Sequence, residues 1–173
     1  SRGAKRLTPD GHATVYAREE LGDDVVTAIY AARDGRVWLG GRSGIAVVRD
    51  GAVRRLEVTE GVPAARFHAI CETPDGTVWF GGRNAGLWVE RAGAVSEVKP
   101  VGVRCDVEAL FCDAAGRVWV ALSKGGLLAQ VDGVWTAVNA AACGLPALEV
   151  LAVQQDRRGD LWMSTGGGLM RVR

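Results

Sequence analysis

"GRVWLGGRSGI" occupies residues 35–45, and close relatives of it return as "GTVWFGGRNAGL" at 76–87, "GRVWVALSKGGL" at 116–127 and "GDLWMSTGGGL" at 159–169. Aligned on Trp38, Trp79, Trp119 and Trp162, the copies follow one another at 41, 40 and 43 residues. A period in the low forties marks an array that reuses one supersecondary unit, either a propeller blade or a helix pair. Helix pairs do not fit. Runs such as "TAIYAA", "RVWLGG" and "IAVVRDG" have strand length and are bounded by turn residues.

Each copy reads as four strands. Strand A is "VVTAIYA", "RFHAICE", "DVEALFCD" and "EVLAVQQD", with Ala28, Ala69, Ala109 and Ala152 at one shared place. A small residue repeated there fits the crowding of inner strands around a propeller axis. Gly35, Gly76, Gly116 and Gly159, each three residues before the Trp, supply the tight turn into strand B. The Trp of strand B is a wedge between adjacent sheets, burying about 150–250 Å² each time. Strand C follows a glycine-rich turn, and strand D ("AVRRLEV", "AVSEVKP", "VWTAVNA") alternates as a half-exposed edge does.

The fold class expected is therefore all-β, a β-propeller of four-stranded antiparallel blades. The repeats run over about 25–62, 63–102, 103–146 and 147–173, the last joined with 4–24 in a single domain. The last copy stops at "GLMRVR" with no strand D, and "PDGHATVY" has the phase of "RDGAVRRL", so the N-terminal strand is expected to close the last blade. Against closure, "SRGAKRL" resembles a leftover strand C. A part of a larger propeller, or half of a ring made by self-association of two copies, stays open alongside it.

Composition narrows the function classes. A net charge of +1 with no run of like charges gives no support for a nucleic-acid partner or an acidic membrane surface. No apolar stretch approaches the roughly 20 residues of a spanning helix, so no direct membrane contact is expected. "SRGAKRL" carries neither an initiator Met nor an apolar leader, which reads as a mature or excised fragment. Cys71, Cys105, Cys112 and Cys143 share no C-x-x-C spacing, and separate buried thiols are favoured over a metal site, although an exported protein could oxidise one pair. Asp-Gly pairs such as Asp34-Gly35 and Asp50-Gly51 lack calcium-loop spacing and read as hairpin turns. "GGRSG" and "STGGG" lack the phosphate-loop pattern. No metal or cofactor is expected.

The pattern "V.AI...DG.VW.GG..GI....DG" resembles the two-component regulator propeller repeat, and the resemblance covers nearly the whole chain. "WLGG", "WFGG" and "WVAL" depart from that family's commoner "WIGT", while "WMST" is nearest to it. Streptogramin-lyase-type propellers use similar Asp-Gly and Trp signals. The resemblance implies an extracytoplasmic, hence periplasmic or external, sensing module of bacterial histidine kinases and diguanylate cyclases that binds a ligand or a protein and does not catalyse.

A ligand site is expected on the face that carries the loops entering strand A and those joining B to C. On this top face fall Arg42, Arg83 and Lys124 from the B–C turns, and Arg66, His68, Arg104, Asp106, Glu108 and Glu149 from the starts of strand A. These positions vary between copies while the scaffold positions do not, so they form either a binding mouth or a solvated rim. Arg and Lys on neighbouring blades could fork onto a carboxylate or sulfate while the acids accept sugar hydroxyls, which points to an acidic saccharide. His68, Glu108 and Glu149 are the acid–base candidates of a lyase alternative, and a pure scaffold without a small-molecule site is the third reading. The other histidine, His12, is expected on the closing strand in a structural role.

Overall fold

A computed structural model of the chain describes residues 3–22, 25–56, 58–100, 105–123, 126–138 and 150–172. Three four-stranded antiparallel sheets follow one another, each in meander order. Blade 1 holds β3 (Val26–Ala31), β4 (Val37–Gly41), β5 (Ile45–Arg49) and β6 (Ala52–Arg55). Blade 2 holds β7 (Ala69–Glu72), β8 (Val78–Gly82), β9 (Gly86–Arg91) and β10 (Ala94–Val98). Blade 3 holds β11 (Val107–Cys112), β12 (Val118–Leu122), β13 (Leu127–Val131) and β14 (Val134–Val138). Blade 4 has β15 (Val150–Gln155), β16 (Leu161–Thr165) and β17 (Gly168–Val172). The one α-helix among the described residues, α1 (Arg18–Leu21), is a single turn.

The repeated turns are built alike. In every A–B hairpin the backbone closes the same pair of bonds: Ala32 N to Arg36 O and Gly35 N to Ala32 O in blade 1, and Asp113 N to Arg117 O and Gly116 N to Asp113 O in blade 3. The C–D hairpins turn on Asp50-Gly51, Ala92-Gly93 and Asp132-Gly133, both residues of each pair at positive φ, the geometry that matches strand twist. Asp-Gly pairs thus serve turns, as their spacing suggested.

Between the sheets lie the apolar wedges. Trp38, fully buried, stacks on Phe80 of the next blade with ring centres 6.0 Å apart, and Phe67 meets Phe80 edge-on at 5.6 Å. Trp79 meets Trp135 of blade 3 edge-on at 5.9 Å. Buried Ala121, Leu127, Val150, Val153 and Met163 join blades 3 and 4, with Trp119 packed against them. Each core is thus interfacial, which makes every blade depend on its neighbour.

Closure by the N-terminal strand is not found. β1 (Gly3–Leu7) and β2 (Ala13–Ala17) pair with each other as a separate two-stranded sheet, and β17 has no partner on its outer side among the described residues. The reason is packing. Tyr16 and Leu21 bury against Leu39, Ala46 and Val48 of blade 1, so the hairpin sits on the outer face of the first blade, where a preceding blade would place its own C and D strands. "GAKRL" is thus a strand C in pairing as well as in sequence. His12 lies in the exposed β1–β2 turn beside Asp10 at 3.5 Å and not on a closing strand.

The cysteines also differ from expectation. Cys71 on β7 and Cys112 on β11 form a disulfide across blades 2 and 3, because adjacent inner strands run side by side with these Cα atoms 5.7 Å apart. Cys105 is a buried free thiol, and Cys143 lies outside the described residues.

Candidate functional site

The inner strands carry an irregularity that sets the site. In blade 1 Val26 pairs with Gly41 but Ala28 with Gly40, leaving Thr27 as an extra residue; Glu108 and Leu151 are the extra residues in blades 3 and 4. Such bulges re-aim a side chain away from its sheet. His68, immediately before Ala69, is the equivalent residue in blade 2 and bonds through its N–H to Gly81 O. One variable residue per blade (Thr27, His68, Glu108, Leu151) thereby stands just ahead of the recurrent Ala.

His68, Glu108 and Leu151 border a cleft of about 470 Å³ floored by Ala28, Ala69, Ala109 and Leu110, while the Thr27 hydroxyl donates to Phe67 O at 2.6 Å. His68 Nε2 lies 3.1 Å from the carbonyl oxygen of Glu108. A carbonyl only accepts, so Nε2 carries the proton, and in the neutral ring Nδ1 is left as an acceptor. That Nδ1 is buried and has no hydrogen-bond partner.

The Glu108 carboxylate turns to another neighbour. Arg83 donates to Glu108 Oε2 through Nε at 2.8 Å and sits 2.8 Å away through a second nitrogen, and the Ser123 hydroxyl adds a bond at 3.2 Å. Burial pushes the Glu108 carboxyl up, but Arg83 and Ser123 together outweigh it and hold the group below the ordinary carboxylate range. Asp106 accepts from Asn84 N at 2.8 Å through its side chain and from Ser123 N at 3.0 Å through its carbonyl. The top of blades 2 and 3 is therefore one connected polar network.

Of the residues singled out in the sequence, the structure brings together His68, Arg83, Asp106 and Glu108. Arg42 and Arg66 are exposed, and their backbones adjoin, since Phe67 N donates to Gly41 O at 2.9 Å. Neither side chain has a hydrogen bond or ion pair among the described residues. Lys124, Arg104 and Glu149 lie outside the described residues. No group of three or more His, Cys, Asp and Glu side chains suited to a metal occurs among the described residues. For the acid–base reading, His68 meets the Glu108 carbonyl and not its carboxylate, and the carboxylate is held ionised by Arg83.

Sequence reasoning missed two members of the network: Asn84 acts through a contact between blades 2 and 3, and Ser123 reaches Glu108 and Asp106 only once β11 and β12 of blade 3 are paired. It also took the paired glycines for simple turns. A Cβ on Gly40 would lie 2.5 Å from Phe67 O, and one on Gly82 would lie 1.9 Å from Arg66 O. The "GG" of blades 1 and 2 exists so that the chain entering blade 2 can pass against both strands B.

The fold is an open arc of a β-propeller. In comparison with known families, residues 20–43, 61–84 and 144–167 match the two component regulator propeller repeat. No curated protein sequence matches the chain. Among solved structures, the extracellular domain of a putative one component system of B. thetaiotaomicron superposes with a TM-score of 0.80 at 14% identity, covering 99% of this chain and 25% of that one. The extracellular domain of a putative hybrid two component system from the same organism gives 0.74 at 17% identity, covering 99% and 24%. A catalytically inactive virginiamycin B lyase from Staphylococcus aureus, solved with quinupristin, gives 0.76 at 16% identity, covering 98% and 62%. The chain spans about a quarter of the length of the first two structures. At these identities the likeness concerns the fold.

Proposed function

We propose that the chain is a non-catalytic, ligand-sensing propeller module of a bacterial signal-transduction protein, acting outside the cytoplasm, and that its ligand enters the cleft at the top of blades 2 and 3. The observation that carries this reading is His68, which lines that cleft and whose Nδ1, an acceptor in the neutral ring, is buried without a partner among the described residues. A buried acceptor without a partner costs about 1–3 kcal/mol, which a ligand hydroxyl would recover. Arg42 in the B–C turn of blade 1 and Arg66 on the neighbouring segment that leads into blade 2, both exposed, would offer charge to an anionic group. Hydroxyls and an acid group on one molecule describe an acidic saccharide. The family and the two-component extracellular domains among the structural neighbours support a signalling role.

The lyase reading has less support, because the Arg83 clamp keeps the Glu108 carboxylate from serving as a proton donor near neutral pH. A disulfide between two blades favours an oxidising compartment.

Binding to an array of charged and neutral glycans, followed by titration of any hit, tests the proposal. Arg42→Ala with Arg66→Ala should abolish binding of acidic glycans and remove its salt dependence, and His68→Ala should weaken it about tenfold. Binding unchanged in both variants would remove the cleft from the account, and turnover of the hit would replace sensing by catalysis.

A further inference from the structure

The opposite face of the blade 2–blade 3 interface holds a second groove, of about 400 Å³, on the side of the A–B and C–D turns. Its floor is opened by "AAG". Where blades 1, 2 and 4 carry Arg33-Asp34, Pro74-Asp75 and Arg157-Arg158 before the turn glycine, blade 3 has only Ala114-Ala115. Trp79 lines the groove; it is 6% exposed, and its Nε1 has no hydrogen-bond partner.

The other blades show what that nitrogen takes. Trp119 Nε1 donates to Asp113 Oδ2 at 3.2 Å, and Trp162 Nε1 donates to Asp156 Oδ2 at 2.9 Å. Both acids stand six residues before their Trp, at the end of strand A. Blade 2 has Thr73 at that place, and Thr73 also lines the groove. Its hydroxyl is directed instead to Asp75 Oδ1 at 2.6 Å, with Thr77 O also within reach at 3.1 Å. Blade 1 has Ala32 there, but Trp38 is fully buried and reaches no groove.

Charge completes the comparison. In blade 3 the acid that serves Trp119 also accepts from Arg117 Nε. In blade 2 an arginine is again at hand: Arg91, 70% exposed along its side chain, donates through Nε to Thr77 Oγ1 at 3.0 Å and reaches Asp75 at 3.4 Å. Asp75 is already supplied with donors by Thr73, Thr77 N and Thr77 Oγ1. Arg91 is the one cation among the described residues lining the groove, beside Asp75 and Asp132, and turning its outer guanidinium nitrogen away from Asp75 would pair it with an incoming anion.

We propose that this groove is a carboxylate-binding site, in which a ligand's carboxylate takes beside Trp79 the position that Asp113 and Asp156 hold in the next two blades. The chemistry is that of an aspartyl side chain, supplied by a free organic acid or by an acidic residue of a peptide. The site is separate from the His68 cleft and does not rest on the function assigned to it.

Indole N–H resonances of the ¹⁵N-tryptophan-labelled protein give the test, with Trp79 assigned by its loss in Trp79→Phe. Acetate and N-acetyl-aspartyl amide are the probes. The Trp79 signal should shift saturably, while Trp119 and Trp162, already paired, stay in place. Movement with both probes assigns the site to carboxylates in general, and movement with the aspartyl amide alone assigns it to acidic peptides. Thr73→Asp should supply the missing acid from within, carry the Trp79 signal toward those of Trp119 and Trp162, and abolish its response. A Trp79 signal stationary through the titration, or moving together with Trp119 and Trp162, would overturn the proposal, as would an undiminished response in folded Thr73→Asp. Should that variant not fold, the wild-type titration decides alone.

Discussion

Asp113 shows how one residue ties a turn to a wedge. Its side chain, fully buried, accepts from Ala115 N and Arg117 N at 3.0 and 2.9 Å, from Arg117 Nε, and from the indole of Trp119. Asp113→Asn keeps the shape but loses the charge, and it should cost about 2 kcal/mol in denaturant melts at neutral pH. Burial raises the Asp113 carboxyl, and the Arg117 N–H, the Trp119 indole and the Arg117 guanidinium together more than reverse this, so its folded value is depressed. The sign follows: this contribution is complete above the unfolded carboxyl value near about 4 and fades as pH falls through the depressed folded value. Wild-type and Asp113→Asn stabilities should therefore converge in acid melts, and a gap that stays constant down to the lowest pH would refute the assignment. The Asp six residues before Trp119 and Trp162 stands plainly in the sequence. It reads there as the polar end of a strand, because only the folded hairpin returns the indole over the strand that precedes it.

At the scale of the strand, the arrangement turns on how close two backbones come. Gly82→Ala sets a Cβ against Arg66 O with no flexible side chain to yield, so it should cost about 3 kcal/mol. Gly166→Ala, in the corresponding turn region of blade 4 with nothing within 4 Å, should leave the melting temperature nearly unchanged. Equal effects of the two would mean that strand B does not pack against the chain entering blade 2. Period, turns and strand order were legible because each follows from local residues: Gly at fixed offsets, alternating apolar positions, one Trp per copy. The bulges at Thr27, Glu108 and Leu151 were not, since a bulge is defined by the pairing of two strands and leaves no mark in either alone. The recurrent Ala was visible, and its setting, directly after the bulged residue and along the cleft floor, explains it.

For the molecule as a whole, the described residues form an arc whose two ends are unlike. Leu7 and Ile29 are exposed at the N-terminal end, and Leu169 at the other. Large apolar side chains left open at both ends suit an arc that continues into further blades, and we propose that such blades, from a longer chain or from a second copy, cover them. Sedimentation of the isolated chain should give a concentration-dependent mass, and Leu7→Lys with Leu169→Lys should render it monomeric at all concentrations. A strictly monomeric wild type would exclude the second copy. The interblade disulfide, closing a 41-residue separation, should contribute about 4 kcal/mol, seen as the loss in a Cys71→Ser, Cys112→Ser double variant.

That same bond gives the most direct test of radial packing, on which the Trp wedges, the His68 cleft and the Trp79 groove all depend. Peptide mapping of the air-oxidised protein under non-reducing conditions should yield one cross-linked pair, Cys71 with Cys112, and an alkylatable Cys105 only after unfolding. Cys71 joined to Cys105 or Cys143, or a Cys71 thiol that stays free and reactive in the folded protein, would contradict the arrangement of blades described above.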